Sequence, residues 1–284
     1  MYVSFLTFFA RRFITGETVE SAIEAVKKLN ASGMSVTLDI LGENVTNQEK
    51  ATRTADNYIN LLQVITKTKI DSNISIKLTQ MGLDISDDFC YENVNRILEK
   101  AASLGNFVRI DMEGSDYTER TLNLVYRWHE KFENMGTVIQ SYLYRSEKDI
   151  EELNKRQIKV RLCKGAYKEP KTVAFQSKDD VNDNFVKLAK MLLKNGNYPA
   201  IASHDEAMIK ASIETANQLG RDKSSFEFQM LYGINRSAQR ELVRQGYKMR
   251  VYTPFGTHWL PYYLRRLRER KENISFLVRH LFKD

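Results

Sequence analysis

Eight short β-rich segments recur along the chain, and amphipathic helical segments separate them. Their starts lie roughly 20–40 residues apart, the spacing typical of strands that each feed a helix and return to a parallel neighbour. The predicted strands span residues 35–41, 73–80, 107–112, 137–144, 158–164, 198–203, 226–231 and 248–252. A strand followed by a helix, repeated eight times, predicts an α/β fold of the (β/α)8 barrel type.

The segments between the strands carry apolar residues at helical spacing. Residues 94–101 show the i, i+3, i+4, i+7 pattern, and a glycine follows that ends the helix. A Thr46-x-x-Glu49 pair predicts a capping box, and Asp205 is a predicted N-cap. An extra helix over residues 19–29 precedes the first strand, and another over residues 274–282 closes the chain.

Composition narrows the class of protein. Of the 284 residues, 42% are hydrophobic and 28% are charged, which excludes the low hydrophobicity of disordered chains and the Gly or Pro enrichment of fibrous ones. Only four prolines and no polar low-complexity linker occur. We therefore expect one domain over residues 1–284.

Charge and cysteine content restrict the partners. The formal net charge of +7 favours acidic partners such as nucleic acid, phosphorylated ligands, carboxylates or an anionic membrane surface. Two cysteines, Cys90 and Cys163, exclude a disulfide framework or a four-thiolate zinc site and favour a reducing compartment. The histidines lack metal-ligand spacing, so no metal is predicted.

No targeting or spanning segment is predicted. Residues 1–10 are apolar, but the positive charges Arg11 and Arg12 follow that run instead of preceding it, unlike in a signal peptide. No stretch approaches the about 18 uninterrupted apolar residues of a spanning helix.

Polar side chains follow or end the predicted strands, where a barrel enzyme builds its site. Each alone is ordinary at a strand exit, but together they favour a site, and its cations favour an anionic ligand. The set comprises Asp39, Glu43, Lys77, Asp111, Glu113, Gln140, Arg161, Lys164, His204, Gln229 and Tyr252.

Two segments stand out. RLCKGAY, starting at Arg161, has a glycine that permits close approach of a flat or phosphorylated cofactor, although a barrel turn that needs glycine explains it equally well. The segment from Tyr252 leads into a helix with the pair Arg265 and Arg266, which suits a carboxylate or phosphate. A solvated basic face is the alternative for that pair.

Seven ordered segments together resemble the proline dehydrogenase family in its bacterial monofunctional form. They are LDILGE from Leu38, ISIKL from Ile74, RIDMEG from Arg109, RLCKGAY from Arg161, SHD from Ser203, EFQMLYG from Glu227 and YTPFGTHWLPYYLRR from Tyr252. The resemblance covers nearly the whole chain. It departs ahead of Arg12, where members usually carry more helical sequence.

The resemblance implies a distorted (β/α)8 barrel with FAD bound noncovalently, its isoalloxazine ring over the C-terminal ends of the strands. Arg161 matches the arginine beside flavin N5, and Gln140 matches the glutamine that hydrogen-bonds the ring. The remaining matches to cofactor-binding positions are Met112, Lys164, Gly165, Ala166, Ser203 and His204.

The resemblance also implies a substrate site. Lys77, Arg265 and Arg266 match the residues that bind the carboxylate of L-proline, and Leu231 and Tyr252 match the apolar wall beside the ring. Asp111 resembles the acidic catalytic residue, and Arg161 matches the second catalytic position. Glu43 matches the partner of Arg265 in an ion-pair gate.

The implied activity is FAD-dependent oxidation of L-proline to Δ1-pyrroline-5-carboxylate by hydride transfer to flavin N5. This is the first step of proline degradation to glutamate, so a pyrroline-5-carboxylate dehydrogenase would act next, and a membrane quinone would accept the electrons. We expect a cytoplasmic location with peripheral contact at the inner face of the cell membrane through residues 274–282. An ordinary helix packed on the barrel is the alternative for that segment.

Two other classes compete with this interpretation. A Schiff-base aldolase would use Lys77 or Lys164 as nucleophile, but it leaves Gln140 and the arginine pair unexplained. A nucleic-acid-binding protein would place its basic residues in one stripe, whereas here they are spread beside acids, so no nucleic-acid partner is predicted.

Overall fold

Eight parallel strands close into a barrel in which each strand pairs with its sequence neighbours. The computed structural model describes residues 13–262. Pairing of β1 with β8 in parallel register, from Ser35 opposite Arg250 to Ile40 opposite Phe255, closes the ring. The strands are β1 (Ser35–Ile40), β2 (Ser72–Ile76), β3 (Val108–Ile110), β4 (Met135–Gln140), β5 (Lys159–Cys163), β6 (Ala200–Ala202), β7 (Glu227–Leu231) and β8 (Lys248–Phe255).

Helices alternate with the strands and surround them, as the sequence predicts. They are α1 (Val19–Ala31), α2 (Gln48–Thr68), α3 (Asp87–Ser103), α4 (Ser115–His129), α5 (Ser146–Lys155), α6 (Lys178–Asn195), α7 (Glu206–Gln218) and α8 (Arg236–Arg244). Short 3-10 turns occur at Leu78–Met81 and Lys223–Ser225. The predicted extra helix ahead of β1 is α1, and the predicted helix over residues 274–282 lies outside the described residues.

Side-chain caps fix where several helices begin. The predicted N-cap Asp205 accepts from the backbone N–H of Ala207 at 3.1 Å. The predicted capping box at Thr46 and Glu49 is wrong. The cap of α2 is Asn47, whose side-chain oxygen accepts from the N–H of Lys50 at 2.9 Å because it stands directly before the first helical residue.

The largest excess of predicted over observed strand length occurs at the ends of β2 and β4, which end at residues 76 and 140 instead of 80 and 144. β2 ends at Ile76 because residues 78–81 form a 3-10 turn, which Gly82 closes at φ 95°. β4 ends at Gln140, although the N–H of Ser141 still donates to the carbonyl of Cys163 at the end of β5 and that of Tyr142 to the carbonyl of Lys164. Both departures place polar residues in the loops that follow the strands.

Alternation along the strands separates an apolar outer layer from a polar interior. Val36 and Leu38 are fully buried between β1 and the helices, whereas the Thr37 hydroxyl hydrogen-bonds the Asn73 side chain across the inner face. Deeper in the barrel, Arg250 pairs with Glu227 at 3.0 Å. Polar side chains therefore line the barrel interior from its N-terminal end toward the C-terminal ends of the strands.

Within residues 13–262, no helix is both long enough and apolar enough to cross a bilayer.

Candidate active site

Five predicted site residues meet inside the C-terminal end of the barrel. Asp39 lies on β1, Lys77 and Asp111 follow β2 and β3, Arg161 lies on β5 and Tyr252 on β8. The four charged side chains are buried, with Asp39 fully so, and Tyr252 is half-buried. We call these five residues the charged cluster. The formal charges of its two aspartates, one lysine and one arginine sum to zero.

Lys77 is held by both carboxylates. Its Nζ donates to Asp39 Oδ2 at 2.8 Å and Oδ1 at 3.0 Å, and lies 3.9 Å from Asp111 Oδ2. Burial alone lowers the pKa of Lys77, but the negative charges of Asp39 and Asp111 outweigh burial and hold that pKa above its ordinary value. Lys77 is therefore an ammonium at neutral pH.

The Tyr252 hydroxyl stands between the same two carboxylates. It lies 2.7 Å from Asp39 Oδ2 and 3.0 Å from Asp111 Oδ2, so its one proton can serve either acceptor. Burial, strengthened by the two negative charges, raises the pKa of Tyr252 well above its usual value. The side chain is therefore a neutral phenol that donates.

Arg161 has unsatisfied hydrogen-bonding capacity. Its Nη1 donates to Asp111 Oδ1 at 2.8 Å, and Ser75 Oγ donates to the same oxygen. Within residues 13–262, Nε and Nη2 of Arg161 are buried without a hydrogen-bond partner. Because buried N–H groups are nearly always paired, these two favour a ligand that supplies acceptors. The guanidinium carbon also lies 5.3 Å from the centre of the Tyr252 ring.

Gln140 is positioned by the loop that follows β3. Its Nε2 donates to the backbone oxygen of Glu113 at 2.9 Å. The Glu113 carboxylate in turn accepts from the backbone N–H of Thr79 at 3.0 Å and from its hydroxyl at 2.6 Å. The Gln140 amide retains a second N–H and its oxygen for a ligand. Met112, just before Glu113, is buried.

Lys164 connects the ends of β5 and β6. Its Nζ lies 2.6 Å from Asp205 Oδ2, and both side chains are partly exposed. Burial raises the pKa of Asp205, but the hydrogen bond and charge of Lys164 outweigh it and bring that pKa below its usual value. The Ser203 hydroxyl accepts from the Asp205 N–H at 3.1 Å. Two predicted cofactor residues therefore share one anchor at the start of α7.

Position 165 requires glycine. Its φ is +120°, and an added Cβ would lie 2.0 Å from Cδ1 of Tyr142. The Tyr142 hydroxyl hydrogen-bonds Glu169, which also accepts from the N–H of Ser115 at 2.8 Å. The loop after β5, which includes Ala166, is thereby fastened to β4 and α4.

His204 and Leu231 also meet. The Nε2 of His204 accepts from the backbone N–H of Leu231 at 3.2 Å, which joins the end of β6 to the end of β7. Gln229 lies deeper, where its amide donates to Glu227 Oε1, so this candidate belongs to the polar interior below the charged cluster.

A cleft of about 780 Å³ reaches Lys77 from the surface beside α2. Glu43, half-buried in the loop after β1, lines this cleft together with Gln80. The predicted substrate residues Arg265 and Arg266 lie outside the described residues, and so does the proposed ion pair of Glu43 with Arg265.

Sequence reasoning missed two residues that bind the cluster's carboxylates. Ser75 precedes Lys77 by two positions on the inward face of β2, a signal that alternation could have provided. Tyr58 lies on the apolar stripe of α2, where its ring predicts only packing, yet its hydroxyl lies 3.2 Å from Asp39 Oδ1.

Comparison with known proteins identifies the family of the chain. The family model described as proline dehydrogenase matches residues 22–279. The chain is 42% identical to proline dehydrogenase 1 of Bacillus subtilis subsp. natto over 96% of its length and 91% of that protein. It is 40% identical to proline dehydrogenase of Deinococcus radiodurans, over 96% of this chain and 90% of that one.

The fold matches a solved structure as well. A crystal structure of proline utilization A from Bdellovibrio bacteriovorus, inactivated by N-propargylglycine, superposes with a TM-score of 0.90 at 28% identity. The match covers 98% of this chain and 34% of that protein, so the chain spans about a third of its length. Both the distorted (β/α)8 barrel and the family predicted from the sequence are confirmed. The chain belongs to the proline dehydrogenase family, whose members are oxidoreductases.

Proposed function

We propose that the chain oxidises L-proline to Δ1-pyrroline-5-carboxylate with FAD as cofactor and a quinone as electron acceptor, the first step of proline degradation. Membership in the proline dehydrogenase family supports the reaction class. The observation that carries the proposal for this chain is Arg161, a buried guanidinium beside the carboxylate of Asp111, two of whose nitrogens have no hydrogen-bond partner in the described part of the chain.

The charged cluster suits a zwitterionic amino acid. Lys77 supplies an ammonium for the substrate carboxylate. It is already charged before substrate arrives because the negative charges of Asp39 and Asp111 stabilise the ammonium. Tyr252 and Leu231 would form the wall beside the pyrrolidine ring. Arg265 and Arg266 would complete the carboxylate site, with Glu43 as the gate partner of Arg265. Holding the carboxylate at several points fixes the ring relative to the cofactor.

The residues at the strand ends fit a flavin. Within residues 13–262, Nε and Nη2 of Arg161 have no acceptor, and the polar atoms of a flavin ring would supply acceptors. Gln140 would contact the ring, and the remaining cofactor residues would be Met112, Lys164, Gly165, Ala166, Ser203 and His204. When bound, FAD would supply the acceptor for a hydride from C5 of proline. The pyrrolidine nitrogen would lose one proton to solvent, and the two electrons of the hydride would then pass from the reduced cofactor to quinone.

The side chains have distinct tasks in this reaction. Arg161 stabilises negative charge that develops beside it during hydride transfer. Asp111 holds Arg161 and the Tyr252 hydroxyl in place. Lys77 binds the carboxylate and does not itself exchange a proton, since its pKa is held above the ordinary value.

The cellular setting follows from the same proposal. Residues 1–284 would form one domain in the cytoplasm, with peripheral membrane contact through residues 274–282 at the inner face of the membrane, where quinone is found. A pyrroline-5-carboxylate dehydrogenase would consume the product, and no nucleic-acid partner takes part.

An anaerobic spectrum tests the proposal. The purified protein, loaded with FAD, should show a flavin absorption band that bleaches on addition of L-proline. D-Proline, with the same groups in the wrong arrangement, is the matched control and should bleach it far more slowly. A flavin band that L-proline leaves unchanged would refute the substrate, and a protein that takes up no FAD would refute the cofactor.

A further inference from the structure

We propose that Tyr58, on a helix outside the barrel, is a positioning residue that fixes Asp39 and, through Asp39, sets the place of the Lys77 ammonium that receives the substrate carboxylate. The inference rests on the proposed function in so far as it assigns Lys77 to a carboxylate. It adds a residue from α2 to a charged cluster whose five members lie on strands or directly after them.

Tyr58 is fully buried on α2 and reaches the end of β1. Its hydroxyl accepts from the backbone N–H of Ile40 at 3.0 Å. Three acceptors lie within reach of its one proton: Asp39 Oδ1 at 3.2 Å, the Ile40 carbonyl at 3.3 Å and Gln80 Oε1 at 3.5 Å.

Asp39 is the acceptor that binds this proton best. The Ile40 carbonyl is a neutral acceptor that already accepts a hydrogen bond from Gln80 Nε2 at 3.1 Å. Asp39 is both the nearest acceptor and a carboxylate, and hydrogen bonds to charged groups are the stronger ones. Burial raises the pKa of Tyr58, and the nearby negative charge of Asp39 adds to this, which keeps the hydroxyl protonated as a donor.

The two oxygens of Asp39 are therefore held by different elements, one by a helix around the barrel and the other by a barrel strand. Tyr58 donates to Oδ1, while the Tyr252 hydroxyl lies 2.7 Å from Oδ2. Lys77 Nζ spans both oxygens at 3.0 and 2.8 Å, so its place depends on how the carboxylate is turned. Without the Tyr58 hydroxyl, Oδ1 loses one of its two donors in the described chain, and Lys77 loses a fixed partner.

Calorimetric titration of the FAD-loaded protein with cyclopentanecarboxylate, a ring carboxylate that cannot be oxidised at an amine, tests this without turnover. Tyr58→Phe removes one oxygen and keeps the ring, and we expect it to weaken binding roughly 3- to 10-fold. Binding of the neutral cyclopentanecarboxamide should change less than about twofold. The proline KM should rise with the carboxylate Kd, while the flavin reduction rate at saturating proline changes less than about twofold.

Two further variants make the test specific. Asp39→Glu keeps the charge but moves the carboxylate off its partners, so it should also weaken carboxylate binding, and adding Tyr58→Phe to it should cause little further loss. Tyr91→Phe is the matched control, because Tyr91 is a buried tyrosine on α3 that stacks on Trp128 and has no contact with the charged cluster in the described chain.

The outcomes separate cleanly. Wild-type carboxylate affinity in Tyr58→Phe, equal losses for the carboxylate and the amide, or fully additive losses in the double variant would each overturn the role of Tyr58. If Tyr58→Phe does not fold, Asp39→Glu decides, since unchanged carboxylate affinity there overturns the proposal. A wild-type protein that binds the carboxylate but is not bleached by L-proline would refute the proposed function and leave the role of Tyr58 standing.

Discussion

Arg161 and Asp111 face each other inside the barrel, with Nη1 of the arginine 2.8 Å from Oδ1 of the aspartate. The pair leaves two guanidinium nitrogens without partners in the described chain. One end of Arg161 is therefore fixed by protein and the other is available to a ligand, an arrangement that holds a positive charge ready without needing it to move.

Replacing Arg161 with methionine tests that arrangement. We expect Arg161→Met to slow flavin reduction by L-proline about 100-fold or more and to lower the flavin midpoint potential, because the positive charge that stabilises the reduced cofactor is lost. Stopped-flow absorbance and a redox titration measure the two effects. Arg96→Met, which removes a surface arginine paired with Asp56, should change neither. A slower rate at unchanged potential would contradict this role.

Arg266→Ala tests the carboxylate site predicted from the family resemblance. Loss of a charged hydrogen-bonding partner should raise the proline KM about 10- to 100-fold with a smaller change in the rate at saturation. Steady-state kinetics with a quinone analogue as acceptor measure it. Arg268→Ala, two positions further along the basic segment, is the control. An unchanged KM in Arg266→Ala would place the pair on a solvated face instead.

Gly165→Ala should disturb the loop after β5. The φ of +120° disfavours any side chain, and the new Cβ would meet the Tyr142 ring. We expect a loss of unfolding free energy of about 2 kcal/mol or more and a lower FAD content. Thermal unfolding and the ratio of flavin to protein absorbance report these.

Gly105→Ala is the matched control for that substitution. Gly105 also has a positive φ, +62°, but nothing lies within 4 Å of its added Cβ. It should cost about 1 kcal/mol and leave FAD content unchanged. Equal FAD loss in both variants would show that backbone strain, and not Tyr142, accounts for the effect.

The aldolase alternative predicts a nucleophilic lysine, and the structure argues for the opposite outcome. Schiff-base formation needs a neutral amine, whereas Asp39 and Asp111 hold the pKa of Lys77 above its ordinary 10.5. The ammonium persists below pH 10.5 and is lost only as pH rises through the elevated value. Borohydride with a carbonyl substrate at pH 7 should therefore give no adduct at Lys77 by peptide mass spectrometry. A trapped lysine would restore the aldolase interpretation.

The barrel and most of the charged cluster could be predicted because both depend on short-range patterns. Alternation along each strand and helical spacing between strands predict the units, and barrel geometry then brings strand ends together. Asp39, Lys77 and Arg161 follow from that rule alone. The true end of β2 depends on the left-handed Gly82, which closes a turn that strand propensity does not reveal.

Tyr58 shows what local patterns miss. In the sequence it is one member of an apolar helical stripe, which accounts for its burial. Its hydroxyl contacts Asp39 only because α2 packs against the C-terminal end of β1. The position of α2 along β1 is set by tertiary packing, so no spacing of residues within α2 or β1 could have indicated the contact.

The zero net charge of the charged cluster bears on how a ligand arrives. Proline is itself neutral overall at pH 7, so its entry into this cluster exchanges no net charge with the solvent. Long-range electrostatic attraction therefore contributes little to the rate at which proline meets the protein, even though the whole chain has a formal net charge of +7. The cluster selects its ligand by the matching of opposite charges over a few ångströms, a form of recognition that dissolved salt screens only weakly.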